Sequence, residues 1–325
     1  MVKLLVPLDR TETSESVLLL AAQAAERLQA EVHLLTVVPP ARQHETIEPS
    51  DHLEGGDMLP PTADTSGRVI KSALEREMAG PAGTMVETRD QALQRLRDST
   101  SEHLQDLARH FPGRPCHTVV LLEPDPAAQI VRYASAEQVD LIAMATHARS
   151  GLGRVLVGSV TEAVIRRTSR PVLLLGPRAD PAPIAPRSLI LCVDGSLLSE
   201  SLIPIAAFRA QALNLHVTVV QVVSPRGERA VLPPDVSEQA YVERLGKMLC
   251  ERGVNAAWEV LHGAGTAATI CAYAREVPGA IVALGTHSRA GLSRLALGSV
   301  AMAVVQHCAR PVLVFHPRQI EAAPT

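Results

Sequence analysis

Residues 140–175 read DLIAMATHARSGLGRVLVGSVTEAVIRRTSRPVLLL, and residues 280–315 read AIVALGTHSRAGLSRLALGSVAMAVVQHCARPVLVF. The two stretches align without a gap, and about 16 of the 36 aligned positions are identical. Self-similarity of this extent indicates an internal duplication. Two upstream segments also match, because LLVPLD at 4–9 corresponds to LILCVD at 189–194. We therefore expect two copies of one domain.

The two copies differ in length, since they are offset by 185 residues at their starts and by 140 at their ends. The first copy therefore carries about 45 extra residues. Its polar, Pro- and Gly-rich stretch from Pro39 to about Gly67 predicts a solvated loop. Helical patterns follow near 69–78 and 89–111. The predicted division is domain one at 1–177 with an insertion at about 39–85, a Pro-rich linker at 178–187, domain two at 188–317 and a tail at 318–325.

In both copies short apolar runs alternate with helical segments. The runs are apolar at successive positions, which is typical of strands covered by helices on both faces of a sheet. The predicted fold class is α/β, with two tandem, open, five-stranded parallel sheets of Rossmann-like type and right-handed crossovers. Such sheets offer a ligand crevice at the carboxyl ends of their strands. The strands are predicted at 2–8, 32–38, 117–122, 140–145 and 171–175, and at 188–193, 216–223, 256–261, 280–284 and 311–315.

Composition excludes several classes of function. The net charge of the 325 residues is −3, so no basic field attracts nucleic acid or an anionic membrane. Aromatic residues are only 2%, which supplies few platforms for stacking bases. The five cysteines are far apart and form no CxxC pair, which argues against zinc and against disulfides. No run of about 18 apolar residues occurs. We expect a cytoplasmic protein without a metal site, a nucleic acid partner or a membrane partner.

Polar residues follow several of the predicted strands. Asp9 and Asp194 come directly after the first strand of each copy, where a carboxylate accepts ribose hydrogen bonds, helps to hold Mg²⁺ or caps the next helix. Gly158-Ser159 and Gly298-Ser299 each open a helix, where free backbone N–H groups form either an anion site or a simple N-cap. The loops after the fourth strands contain Thr-His-Ala-Arg at 146–149 and Thr-His-Ser-Arg at 286–289. Their histidines either contact a ligand or hydrogen-bond their own backbone.

At these residues the chain resembles the universal stress protein family, over nearly the whole of both copies. The ATP-binding members carry Gly, two residues, Gly, nine residues, then Gly-Ser or Gly-Thr. The spacing occurs twice here, from Ala145 and Ala148 to Gly158-Ser159 and from Gly285 and Ser288 to Gly298-Ser299. The resemblance also implies an aspartate on the adenine side, a second-strand valine, and a loop glycine that corresponds to Gly263 and, in the first copy, to Pro124. It implies that the edge strands after Arg170 and Arg310 pair between domains or subunits.

The resemblance implies a stress-response regulatory protein with the adenine nucleotide alpha hydrolase-like fold, which binds ATP or a related adenine nucleotide, with or without Mg²⁺. The second copy is the stronger candidate, because the first has lost its loop glycines, which let a backbone approach phosphate closely. The alternative is a nucleotide-free, dimerising scaffold. The family includes slow ATP hydrolases, but the chain has no Walker A lysine, nucleophile elbow or metal triad, so no catalytic residue is predicted. The predicted binding residues are Asp194, Val222, Gly263, Gly285, His287, Ser288, Arg289, Gly298, Ser299 and Val300 in the second copy, and Asp9, Val37, Ala145, His147, Ala148, Gly158, Ser159 and Val160 in the first.

Overall fold

The computed structural model describes residues 1–39, 88–146, 158–180, 185–223, 238–286 and 298–315. Contacts divide the chain into two compact units, one of residues 1–39 with 100–325 and the other of residues 40–99. The smaller unit is described only from residue 88, where Thr88 and Gln91 form a reciprocal capping box at the start of a helix. The helical pattern near 69–78 lies outside the described residues.

The larger unit contains both copies of the duplicated sequence. Each contributes five parallel strands, and the order places the first strand between the second and the fourth. These findings confirm the predicted fold class. The strands are β1 (Lys3–Pro7), β2 (Glu31–Val38), β3 (Cys116–Leu122), β4 (Leu141–Ala145) and β5 (Val172–Leu175), and β6 (Ser188–Val193), β7 (His216–Val223), β8 (Ala256–His262), β9 (Ala280–Gly285) and β10 (Val312–Phe315).

The two sets of strands join into one sheet. β5 and β10 pair antiparallel, with Val312 opposite Leu174 and Val314 opposite Val172. Across the described residues this pairing gives a ten-stranded sheet in the order β3-β2-β1-β4-β5-β10-β9-β6-β7-β8. The edge-strand pairing that the family resemblance implied therefore occurs within one chain.

Helices cover both faces of the sheet. Side chains alternate along each strand, so Leu4 and Val6 enter one apolar cluster while Leu5 enters the other. The first cluster packs against α2, α3, α7 and α8, and the second packs against α4, α5, α9 and α10. In the described residues no helix is both long and apolar enough to cross a membrane. The helices are α1 (Glu12–Glu15), α2 (Leu18–Leu28), α3 (Arg89–Leu107), α4 (Pro126–Ala136), α5 (Ser159–Arg167), α6 (Leu197–Glu200), α7 (Leu202–Leu213), α8 (Glu238–Glu251), α9 (Thr266–Glu276) and α10 (Ser299–His307).

Candidate functional site

The strand order reverses at one point in each copy, which is where a ligand crevice is expected. After β1 the chain passes to α2 on one face of the sheet, whereas after β4, the neighbour of β1, it passes to α5 on the other face. The same divergence occurs between β6 and β9 in the second copy. In open parallel sheets ligands bind at such points, outside the carboxyl ends of the strands.

The aspartates after β1 and β6 form the same turn in both copies. Oδ1 of Asp9 accepts hydrogen bonds from the Thr11 amide at 3.2 Å and the Thr11 hydroxyl at 2.6 Å. Oδ1 of Asp194 accepts from the Ser196 amide at 3.0 Å and the Ser196 hydroxyl at 2.6 Å. The N-caps of α1 and α6 are Thr11 and Ser196, so the suggestion that the aspartates themselves cap these helices is wrong. Each aspartate instead holds the cap residue in place, and its contact with a ligand stays a prediction.

The residue between aspartate and cap differs between the copies. Arg10 has a φ of 63° and Gly195 a φ of 81°, so the turn requires the left-handed region at this position. Nη1 of Arg10 reaches the hydroxyl of Thr100 on α3 at 3.5 Å. The first copy thus has an arginine at the rim of the crevice where the second copy has no side chain.

A side-chain contact with a carboxylate ties the short helix after each turn to the long helix that follows the second strand. Glu15 lies 2.8 Å from Nε2 of His103, and Glu200 lies 2.9 Å from Nη2 of Arg244. Three residues before Arg244, the fully buried Tyr241 lies near Ser199 and Asp194, and burial raises its pKa to about 12. The Tyr241 hydroxyl nevertheless reaches no described group in hydrogen-bond geometry.

The second-strand valines lie beside buried polar residues that sequence reasoning missed. Val37 and Val222 are half-buried and pack against the same apolar cluster as Val160 and Val300. The residues before them, Thr36 and Gln221, are 2% exposed and face the opposite apolar cluster, and the hydroxyl of Thr36 and Oε1 of Gln221 have no hydrogen-bond partner among the described residues. Each of these two polar residues interrupts an apolar run in the sequence, and that interruption is the signal by which they could have been found.

The loop after the third strand is where the copies differ most. The amide of Glu123 donates to the Val38 carbonyl at 3.1 Å, and the amide of Gly263 donates to the Val223 carbonyl at 3.2 Å. Gly263 therefore corresponds to Glu123, and the predicted correspondence with Pro124 is wrong by one residue. The first copy consequently has Glu123 and Asp125 where the second has Gly263 and Gly265. The gap-free offset of 140 residues extends upstream through this loop, which was the signal for the correct alignment.

Packing explains the glycine at 263. A Cβ atom there would lie 2.0 Å from Oγ1 of Thr269, and that hydroxyl donates to the Gly265 carbonyl. In the first copy the counterpart of Gly265 is Asp125, which caps α4 and lies 2.9 Å from Arg167. The hydrogen bond from Arg167, followed by the one from the Ala128 amide, lowers the pKa of Asp125.

Both candidate anion-binding helices begin in the same way. Gly158 and Gly298 are N-caps with φ of −52° and −56°, and neither helix has a side-chain cap. Ser159 and Ser299 are exposed at the first helical position. The first-turn N–H groups have no partner within their own helix, and the positive end of the helix dipole favours an anion there.

The remaining predicted residues divide into two groups. Ala145 and Gly285 end β4 and β9 at the carboxyl edge of the sheet, so the structure brings them to the crevice. His147, Ala148, His287, Ser288 and Arg289 lie outside the described residues. In the described ranges no group of three or more His, Cys, Asp or Glu side chains is placed to hold a metal ion.

A family model described as the universal stress protein family matches residues 1–58, 69–176 and 186–316. The chain belongs to the universal stress protein family. The first two matched segments contain β1–β2 and β3–β5, which pair with each other in one half of the sheet of this family member. The third segment contains β6–β10.

Individual members of the family resemble the chain to different extents. A universal stress protein of Mycolicibacterium smegmatis is 24% identical over 261 residues, which cover 77% of this chain and 86% of that protein. One of Methanocaldococcus jannaschii is 44% identical over 63 residues, which cover 19% of this chain and 36% of that protein. The solved universal stress protein of Archaeoglobus fulgidus DSM 4304 covers 97% of this chain and 98% of its own, with a TM-score of 0.66 at 16% identity. This last similarity is one of fold.

Proposed function

We propose that this member of the universal stress protein family is a regulatory protein that binds ATP or a related adenine nucleotide in the crevice between β6 and β9. One observation carries the proposal: signature positions of the second copy gather at the carboxyl edge of one sheet. Asp194, Val222 and Gly263 follow or end three neighbouring strands, and Ser299 opens α10 beside the end of β9. The amide of Gly298 donates to the Thr286 carbonyl at 2.6 Å, which ties the start of that helix to the strand.

Two ends of the crevice would contribute to the binding energy: the start of α10 for the phosphates and the surface of Val222 for the base. One helix dipole contributes about 0.3–1 kcal/mol per charge, whereas micromolar affinity requires about 8 kcal/mol. Phosphate contacts alone therefore do not suffice, and the half-buried apolar surface of Val222 is the counterpart available for a base. The neighbouring Gly263 keeps that end free of a side chain.

The first copy is the weaker candidate for physical reasons. Its third-strand loop places the carboxylates of Glu123 and Asp125 where the second copy has two glycines. These two side chains replace glycines, which let a backbone approach a ligand closely. We therefore expect one nucleotide per chain.

Isothermal titration of the full chain with ATP, with and without Mg²⁺, tests the proposal. Ser299→Ala and Ser159→Ala form a matched pair, because both serines are exposed and open equivalent helices. A hydrogen bond to a charged group contributes about 1.5–3 kcal/mol, so S299A should weaken binding by about tenfold or more. S159A should leave binding unchanged. A loss of binding in S159A with retention in S299A would place the site in the first copy.

The second candidate function is a nucleotide-free scaffold, alone or as a homodimer. The antiparallel pairing of β5 with β10 favours it, because the joined sheet holds the two copies together without a ligand. A titration without heat or saturation, together with the absence of any nucleotide released from purified protein, would favour this function over the first.

A further inference from the structure

A cluster of polar side chains lies near the amino ends of β2 and β3, far along the strands from the crevice. His33 is 4% exposed, and its Nε2 lies 3.0 Å from Oε1 of Glu31. The same Oε1 lies 3.1 Å from Nε2 of His117 on the neighbouring strand. The two imidazole centroids are 5.1 Å apart. One carboxylate is therefore shared by two histidines, of which one is buried.

The hydrogen bonds determine where the proton of His33 lies. A carboxylate only accepts, so Nε2–H of His33 donates to Glu31. Nδ1 of a neutral ring then accepts from the hydroxyl of Tyr133 on α4, at 2.7 Å. Burial lowers the pKa of His33 from its usual value of 6.5, against the opposing effect of Glu31. The ring is thus neutral at pH 7, with both nitrogens in use.

A second proton on the His33 ring would be unfavourable among these neighbouring groups. Nδ1 would become a donor facing the Tyr133 hydroxyl, which would have to rotate so that its oxygen accepts. The new cation would lie beside His117 and near Lys3 of β1, both of which lower the pKa of His33. Lys3 is itself paired with Glu137 of α4 at 3.3 Å. The titratable and charged groups around the ring are Glu31, His117, Tyr133, Lys3 and Glu137.

The second copy has the same corner without this cluster. Its tyrosine, Tyr273, hydrogen-bonds to Thr218 and Glu259 and faces no histidine at the position of His33. The second-copy counterparts of Glu31, His33, His117 and Tyr133 are His216, Thr218, Ala257 and Tyr273.

We propose that the cluster around His33 is an acid-sensitive device confined to the first copy, in which protonation of His33 loosens the corner where β2, β3 and α4 meet. Folding lowers the pKa of His33. Between the folded and the unfolded pKa, the unfolded chain therefore binds a proton at His33 and the folded chain does not. The contribution to stability is fully present above about pH 6.5 and is lost as the pH falls through the lower folded value. The second copy stays intact over the same range.

The variant His33→Thr tests the proposal in the full chain, because it gives the first copy the threonine that the second copy has. Urea unfolding is measured from pH 8 to pH 5. Below about pH 6.5 the unfolding constant of the wild type should rise more steeply than that of H33T, by up to tenfold per pH unit. The control His262→Thr removes an exposed histidine and should keep the wild-type profile. Superimposed profiles of wild type and H33T would overturn the proposal.

Two measurements on the wild type make the test independent of the folding of H33T. The histidine Cε1 proton of His33 should titrate in NMR below pH 6.5, and titration at or above that value contradicts the proposal. Amide hydrogen exchange at pH 5.5 should rise relative to pH 7.5, after correction for the intrinsic rates, in residues 31–38, 116–122 and 126–136. Residues 216–223 should show no such rise. An equal rise in both copies would indicate a general acid effect and would sink the inference.

Discussion

The substitution Gly176→Ala tests the contact that joins the two copies beyond the β5–β10 pairing. Gly176 is buried directly after β5, and an added Cβ atom would lie 2.3 Å from the carbonyl oxygen of Val305 on α10. That oxygen belongs to helix backbone and cannot rotate away, so the helix or the end of β5 must shift. The first copy thus ends against a helix of the second.

The magnitude follows from two opposing terms. Overpacking a well-packed interior costs about 1–3 kcal/mol. Replacing glycine by alanine where φ is not positive returns about 0.4–1 kcal/mol by restricting the unfolded chain. The net loss of unfolding free energy should be about 1–2 kcal/mol. With an m value of about 2 kcal/mol/M in urea, the midpoint should fall by about 0.5–1 M.

Urea denaturation followed by far-UV circular dichroism measures this shift. Gly265→Ser is the control, because the nearest atom to its Cβ is 3.8 Å away and serine is a favoured N-cap. G265S should leave the midpoint unchanged or raise it slightly. A G176A protein as stable as the wild type would show that Gly176 and Val305 do not approach this closely in solution.

Three further outcomes are expected from single substitutions or from labelling. Tyr273→Phe should lower the unfolding free energy by about 1 kcal/mol, because it removes the hydrogen bonds of that hydroxyl with Thr218 and Glu259, and an unchanged urea midpoint refutes this reasoning. Thr11→Ala should cost about 1 kcal/mol through loss of the α1 cap, and an unchanged urea midpoint would contradict it. Alkylation of the folded protein at pH 8, followed by mass spectrometry, should modify the exposed Cys250 before Cys116, whose pKa is raised by burial to about 11.

The strands were predictable because their signal is local. Parallel strands that are buried on both faces have continuous apolar sequences. The observed bounds differ from the predicted ones by at most one residue at either end, as for β1 at Lys3–Pro7 against 2–8. The duplication also predicted that both copies share one topology. The alignment of Gly263 with Pro124 was wrong by one residue. The gap-free offset of 140 residues and the backbone hydrogen bonds of Glu123 and Gly263 agree on the correct register.

Contacts between distant residues had no sequence signal. His33 and Tyr133 are 100 positions apart, so no periodicity connects them. Cys271 and Cys308 illustrate the same limit, since they are 37 positions apart in the sequence and yet their thiols are hydrogen-bonded in the second copy. That hydrogen bond lowers the pKa of Cys308 although burial opposes it.

Comparison of the two copies distinguishes residues that the fold requires from residues that are available to bind a ligand. The aspartate turn makes the same hydrogen bonds in both copies, with Asp9 or Asp194 holding the cap of the next helix. Because the turn stabilises the start of α1 and α6, its presence in both copies is explained without any nucleotide. Substituting Asp194 would therefore confuse loss of the turn with loss of a ligand contact. Ser299 is exposed and, among the described residues, does not cap its helix, so its exchange for alanine is the change from which binding can be inferred.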